Sequence, residues 1–546
     1  MKKFTTAVPI LLLASVLMGQ SFKSPEVQSS LDAIQGYTLR AYIQFLADDI
    51  TEGRGVGTPG DMIAEKYIAS QFQAMGLKPG NGDSYFQTFP LIGIHADPSM
   101  SLHFKHADKT IKLNYYDDFI AVPGNQESLI QIDKAELVFA GYGIVAPEFN
   151  WNDFKNSDVK GKILLIMNND PDTGDPNFFG GKTRLYYGRW DYKYEEAARQ
   201  GAAGVIIIHT TPSASYPWQV VQTSWFGEQF ELPRSDEPCL KVKAWATESR
   251  CREIVRMAGF NLDTLRQMAQ SRDFQPVDLG IRTAITIHSR IRTLETANVL
   301  GLFPGKDPEK SEEVVIYTAH HDHLGLGKSA DGDSIYNGAV DNATGVAAVL
   351  NIAQAYTRLP HPPDRSLLFM AVSAEESGLL GSDYYAHHPT FPVQKIAGVI
   401  NLDAMNIFGR TRDVSSIGFG KTSIDTTFVR LAEEQNRYVR PDQHPERGSF
   451  YRSDHFSFAK VGVPSVYLGG GHDFIGRSKA WVKEHVDPWV GTHYHQPSDE
   501  YSPDWNLDGM IEDTKLAFMI GLNMADQKPM PEWVPGDEFE KIRKNQ

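Results

Sequence analysis

Five short stretches of this 546-residue chain hold side chains able to bind metal ions. They are AHHDH (Ala319 to His323), NGAVDNATG around Asp341, the pair Glu375-Glu376, NLD ending on Asp403, and HYH with His493 and His495. Imidazole and carboxylate without thiolate suit zinc, with cobalt or manganese as substitutes. Two such ions about 3.5 to 4 Å apart are suited to polarising a carbonyl and activating water at neutral pH. One carboxylate reaching both ions is the simplest clamp. Asp341 is expected as that bridge, with His320 and Asp403 on one ion, Glu376 and His495 on the other, and two zinc ions as cofactor.

In an extended strand, residues two apart share a side, so Asp322 is expected to steady the His320 ring while His321 points away. His323 remains an alternative ligand. Adjacent glutamates leave the backbone in different directions and cannot easily serve one metal equally. Glu375 is therefore expected as the general base, taking a proton from water and handing it to the leaving amine, and Glu376 as the ligand; the reverse is the competing assignment. Taken singly, each motif has a bland explanation: a solvated helix start, a histidine-rich surface, a turn. Their occurrence together beside successive apolar runs is harder to obtain by chance.

Those runs are VVIYT before the histidines, SLLFMAV before the glutamates and IAGVINLD ending on Asp403. Ligand crevices of open α/β sheets lie where strands end, which is where these residues fall. After Asp341, NATGVAAVLNIAQAY is apolar nearly all round and predicts a buried helix, with Asn342 and Thr344 as capping groups and Gly345 permitting close packing. Leu31 to Leu46 has helical periodicity. Thr58-Pro59-Gly60-Asp61 starts another helix, expected only to pack.

The length exceeds one typical core, so two or more domains are expected. A net charge of -15 argues against a nucleic-acid partner, since phosphate binding needs a basic stripe. Lys2 and Lys3 precede an apolar run, Ala7 to Met18, that is too short to span a bilayer and fits a secretory leader over 1–20. The mature protein is accordingly expected in a periplasm or outside the cell, without a membrane anchor. Cys239 and Cys251 could form a disulfide there or remain buried thiols.

From about Ala135 to Ile287 the texture changes to short β-like runs with polar loops. An inserted β-rich unit is expected over 131–288, the metal-binding domain over 21–130 and 289–527, and a poorly ordered tail over 528–546.

The ordered set AHHDH, NGAVDNATG, AEESGLLGS, NLD and YHQPSD resembles the co-catalytic zinc peptidases that include bacterial leucyl aminopeptidases and the glutamate carboxypeptidase II group. The resemblance covers about Leu31 to Ile94 and Thr296 to Met524. The family's five ligand positions match His320, Asp341, Glu376, Asp403 and His495, and its general base matches Glu375. GKILLIMNND followed by AARQGAAGVIII resembles a protease-associated (PA) domain. The resemblance implies an α/β fold, a helix-sandwiched, mixed and mostly parallel sheet, with a cis bond between Asp341 and Asn342. It implies hydrolysis of N-terminal bonds of a peptide or protein substrate. Tyr451, Asp454 and His455 are expected to line the site. Rivals on the same scaffold are a carboxypeptidase, for which Arg410, Arg447, Arg452 or Arg477 could grip a carboxylate, a single-zinc glutaminyl cyclase, and a receptor-like binding protein.

Overall fold

The structure, a computed structural model, describes residues 19–155, 157–172, 174–175, 178–234 and 237–546. The leader expected over 1–20 lies outside the described residues except for 19 and 20.

Four apolar runs form the parallel centre of the main sheet, in the order Ser366–Val372, Val314–His320, Ile396–Leu402 and Ser465–Gly469. Such strands are covered on both faces, which is why they read as continuous apolar runs rather than alternating ones. Val315, Tyr317 and Ala319 pack on one side with the helices Thr344–Tyr356 and Asp508–Asp526. Val314 and Ile316 pack on the other with Tyr385 and Phe458. Antiparallel strands flank the centre: Val277–Phe303 joins Ser366–Val372, Phe86–Ala96 joins Val277–Phe303, and Asp413–Ile417 joins Ser465–Gly469. The helical run from Leu31 breaks at Ile34 and Gln35, both extended, into Gln28–Ala33 and Gly36–Leu46.

A second sheet is built on the same long strand. Val277 to His288 pairs with Leu129–Phe139, and from Ser289 onward the strand pairs with Phe86–Ala96 in the main sheet. Beyond Leu129–Phe139 the second sheet continues through the parallel strands Ile163–Met167, Gly204–His209 and Val242–Thr247. One continuous backbone thus joins the two units, which fixes how they face each other. Ser101–His106, Lys109–Asn114 and Phe119–Pro123, which precede the expected start of the insertion at 131, also pair in the second sheet.

The C-terminal tail also departs from expectation. Trp533 and Phe539 are buried against Phe450, Tyr451 and Phe456, which anchors residues 528–546 to the main unit. Both cysteines are free thiols. Among the described residues no helix is long and apolar enough to cross a membrane.

Candidate metal centre

Central strand ends deliver His320, Glu376 and Asp403, the segment before the buried helix delivers Asp341, and a loop after Trp489–Thr492 delivers His495 to the same place. Asp341 turns its two oxygens to different partners. Oδ1 lies 3.2 Å from His320 Nε2, which is itself 3.5 Å from Asp403 Oδ1. Oδ2 lies 3.3 Å from His495 Nε2, which is 3.0 Å from Glu376 Oε2. The edges of a tetrahedral zinc site with bonds of about 2.0–2.1 Å measure about 3.3 Å, so both sets are spaced as ligands of a shared-carboxylate pair. His495 Nε2 is buried without a hydrogen-bond partner, as expected of a donor atom meant for a metal. The residues therefore fit zinc. His323 also reaches this place, with Nδ1 2.6 Å from Glu376 Oε1. His493 does not; its ring stacks on Trp489.

Local backbone holds these groups in position. The Asp341-Asn342 bond is cis. Asn342 Oδ1 accepts from Gly345 N at 2.9 Å, starting the buried helix. A Cβ at Gly345 would sit 2.2 Å from Leu402 O, so only glycine lets this helix approach the Asp403 strand so closely. Ala374, Ala404 and His495 adopt left-handed φ of 58°, 54° and 57°. Such backbone is costly for non-glycine residues, and here it occurs beside Glu375, beside Asp403 and at His495 itself.

Two buried aspartates organise the loops by accepting from consecutive amides. Asp322 takes Glu375 N at 3.1 Å and Glu376 N at 3.3 Å. Asp499 takes Val340 N at 2.9 Å and Asp341 N at 3.0 Å. Asp322 also adjoins the His320 ring: its carboxylate lies 3.8 Å from Nδ1 and its carbonyl 3.1 Å from the same nitrogen.

Other supports were not singled out from sequence. The Arg54 guanidinium, fully buried, donates to the carbonyls of His321, Leu46, Asn337 and Gly338, next to His320 and Asp341. His321 points away from the centre, as expected, into a buried cluster with Asp61 and Glu65 on the helix Pro59–Ala74. That helix does more than pack: Glu65 accepts from Ala297 N, and His321 Nδ1 lies 3.2 Å from Asp61 Oδ1. Its one sequence signal was two acids spaced i,i+4 on a helix with an apolar face.

Charge is concentrated here. Burial alone would lower the pKa of His495, but Glu376 and Asp341 push it up to about 10. Burial opposes protonation of His320 too, yet Glu375, Asp341 and Asp403 hold it well above the ordinary imidazole value. Glu375 is driven well above the carboxylate range by burial, partly offset by His320 and reinforced by Glu376. Burial would raise Glu376, but His495 beside it brings it to about 2. The two neighbouring glutamates are thus strongly differentiated, which is how paired carboxyls take separate roles.

The centre opens into a cavity of about 340 Å³ between the two units, lined by Glu375, Glu376, His495, Tyr494 and Arg452 on one side and Arg189, Tyr216 and Trp225 on the other. From the inserted unit, Ser224 Oγ reaches His495 Nδ1 at 2.8 Å. Of the residues expected to line the site, Tyr451 borders this cavity, although its hydroxyl is engaged by Glu538. Asp454 is buried beside the centre with neither oxygen hydrogen-bonded, and burial raises its pKa to about 7. His455 corrects the expectation. It packs between Phe450 and Tyr467, away from the cavity wall, and burial lowers its pKa to about 3. In the same segment Ser453 supplies the contact to Asp403, Oγ to Oδ2 at 2.6 Å. Of the four candidate arginines only Arg452 borders the cavity; Arg410 pairs with Glu512 and Arg477 lies over Trp481.

A helix-sandwiched mixed sheet with imidazoles and carboxylates converging at its strand ends is the architecture of an α/β metal-site protein. Residues 298–519 match peptidase family M28 and residues 133–233 the PA domain. The main unit is thus similar to peptidase family M28 and the insertion to the PA domain. Among curated proteins the chain is 31% identical over 256 residues to leupeptin-inactivating enzyme 1 of Streptomyces exfoliatus, covering 44% of this chain and 51% of that one. It is 26% identical over 396 residues to aminopeptidase YwaD of Bacillus subtilis (strain 168), covering 68% and 66%. The chain thus spans between half and two thirds of these relatives. Among solved structures, the aminopeptidase from Aneurinibacillus sp. strain AM-1 shares the fold, with a TM-score of 0.53 at 20% identity over 92% of this chain and 97% of that one.

Proposed function

We propose that this chain is a di-zinc exopeptidase, an aminopeptidase that hydrolyses N-terminal peptide bonds, acting in a periplasm or outside the cell. The observation that carries the reading is Asp341, with each oxygen turned to a separate histidine–carboxylate set and Glu375 in the adjoining cavity. The relatives named as aminopeptidases support the same activity. The basic start and apolar run of the leader support export.

When bound, zinc would polarise the substrate carbonyl and lower the pKa of water. The rest of the chemistry belongs to side chains. Glu375, whose carboxyl has a high proton affinity in this buried setting, takes the proton from attacking water and delivers it to the departing amine. Asp322 fixes the backbone of Glu375 and Glu376, keeping base and ligand in register. Arg189, Tyr216 and Trp225 of the inserted unit wall one side of the cavity.

The test is zinc content per chain together with hydrolysis of free-amine, N-blocked and C-blocked peptides. Two zincs and cleavage restricted to free-amine peptides are expected. Glu375→Gln should keep both zincs and lose turnover by about 10²-fold or more. A single zinc with ring closure of N-terminal glutamine would mean a cyclase, and no metal with no turnover would mean a binding protein.

A further inference from the structure

The charges lining the catalytic cavity do not balance. Lys243 is paired with Glu231 at 2.6 Å, and Arg189 Nε lies 3.5 Å from Asp191 Oδ1. Glu375 and Glu376 belong to the metal centre. Arg452 has no acidic partner within ion-pair distance among the described residues. Its Nη2 donates to Ala214 O at 2.6 Å, its guanidinium lies over the Tyr216 ring at 5.2 Å, and its Nε is buried without a hydrogen-bond partner. Arg189 is 7% exposed and makes no side-chain hydrogen bond among the described residues; its Nε is likewise orphaned.

Arg452, a guanidinium in the cavity wall with a buried Nε unspent and no acid beside it, is costly unless an anion answers it, and Arg189 has only Asp191, 3.5 Å away. Burial and neighbouring Arg189 both lower the Arg452 pKa, the direction expected for a cation lacking a counter-charge. The planar fork of donors matches a carboxylate in a paired geometry. The two arginines come from different units, Arg189 from the insertion and Arg452 from the main unit, so the subsite exists only where the units meet. Aromatic surfaces of Tyr216, Trp225 and Tyr494 border the same space. They would exclude water around an ion pair and strengthen it.

We propose that Arg452 and Arg189 form a carboxylate-binding subsite in the catalytic cavity, which selects substrates carrying a free carboxylate near the scissile bond. This rests on the peptidase reading above. The carboxylate has two possible sources: the C-terminus of a short peptide, or the side chain of glutamate or aspartate.

The experiment compares kcat/KM of the zinc-loaded protein on matched pairs: Ala-Ala against Ala-Ala-amide, Glu-Ala-Ala-amide against Gln-Ala-Ala-amide, and Ala-Glu-Ala-amide against Ala-Gln-Ala-amide. At least one pair should favour the carboxylate by about tenfold or more, and that pair identifies the source. In Arg452→Gln the ratio should fall towards one, and Arg452→Lys should keep part of it. Arg189→Gln should reduce the ratio, and it provides the reading if Arg452→Gln does not fold. Ratios near one for every pair in the parent protein overturn the subsite while leaving the peptidase reading intact. Calorimetric binding of the same pairs to Glu375→Gln separates the two failures. Arginine-dependent preference for the acid without turnover by the parent would uphold the subsite and overturn the peptidase. Equal binding of acid and amide would overturn the subsite.

Discussion

Ser224 Oγ stands 2.8 Å from Nδ1 of His495, so a residue of the inserted unit holds the imidazole whose other nitrogen faces Asp341 and Glu376. The same helix, Trp218–Ser224, reaches the His495 loop a second time through Gln219 Nε2 and Gly491 O at 3.0 Å. The PA domain is therefore part of the metal centre as well as the wall of its cavity. Groups that orient a ligand ring set its tautomer and its readiness to bind.

Ser224→Ala should accordingly weaken zinc at the Glu376–His495 side by about 10-fold to 100-fold. Zinc at the His320–Asp403 side should be unaffected, since no atom there touches Ser224. Competition with a chromophoric chelator would resolve the two affinities. Two affinities equal to those of the parent would show that the contact has no orienting role.

Arg54→Lys tests whether the loops around the centre depend on one guanidinium. Arg54 uses its fork on four carbonyls from three parts of the chain, and a lysine cannot span them. Hydrogen bonds from a charged group contribute about 1.5–3 kcal/mol each, so losing two of them costs about 3–6 kcal/mol. The thermal midpoint of the metal-free protein should fall by several degrees, and zinc affinity should fall with it as the flanking carbonyls of His321 and Gly338 lose their anchor. A midpoint within a degree of the parent would refute this.

The approach of the five candidate side chains to one another was legible because His320, Glu376 and Asp403 end or follow runs that can only be buried strands, Asp341 precedes an apolar helix, and His495 belongs to a distinctive polar motif. The buried helix after Asp341 was legible for the same reason, its apolar positions going all the way round. What could not be read depends on contacts between distant segments. Ser224 is an ordinary helix-end serine until the two units face each other, and Arg54 is one charge in a glycine-rich loop. Asp322 adjoins His320, and its second task, accepting from Glu375 N and Glu376 N, arises only when two strand ends meet. The pairing of 101–123 with the second sheet is likewise non-local. His455 looked like a site residue by its company with Asp454, but the short helix His455–Lys460 turns its ring into an aromatic core.

Zinc binding should release protons. Without metal, His495 is pushed up to about 10 and His320 lies well above its ordinary value, so both rings are charged at neutral pH. A ligand imidazole must be neutral, so each ring gives up its proton as zinc binds. The sign follows: apparent zinc affinity rises with pH, by about tenfold per pH unit for each ring deprotonated, as long as pH stays below the metal-free pKa. Calorimetry at pH 6, 7 and 8 in buffers of different ionisation enthalpy should find about two protons released on filling both sites. Affinity independent of pH, with no proton release, would mean that the rings are neutral before metal arrives.

The tail offers the last test, because its sequence is rich in proline and charge while its two aromatics are anchored. Trp533 is 4% exposed and donates from Nε1 to Gly462 O at 2.8 Å, and Phe539 stacks on Phe450 with ring centres 5.9 Å apart. Asp537 and Glu538 hold Lys421 at 2.8 and 3.0 Å, and Glu538 also accepts from Tyr451 at 2.9 Å. Replacing a buried Trp or Phe by alanine costs about 3–5 kcal/mol, so Trp533→Ala alone should lower the thermal midpoint clearly. Ending the chain at Gln527 should lower it further by baring Phe450 and Phe456. Because Tyr451 and Arg452 stand between this patch and the cavity, the truncated protein should also lose turnover before it unfolds. A truncated protein that melts with the parent would mean that the tail packs without stabilising.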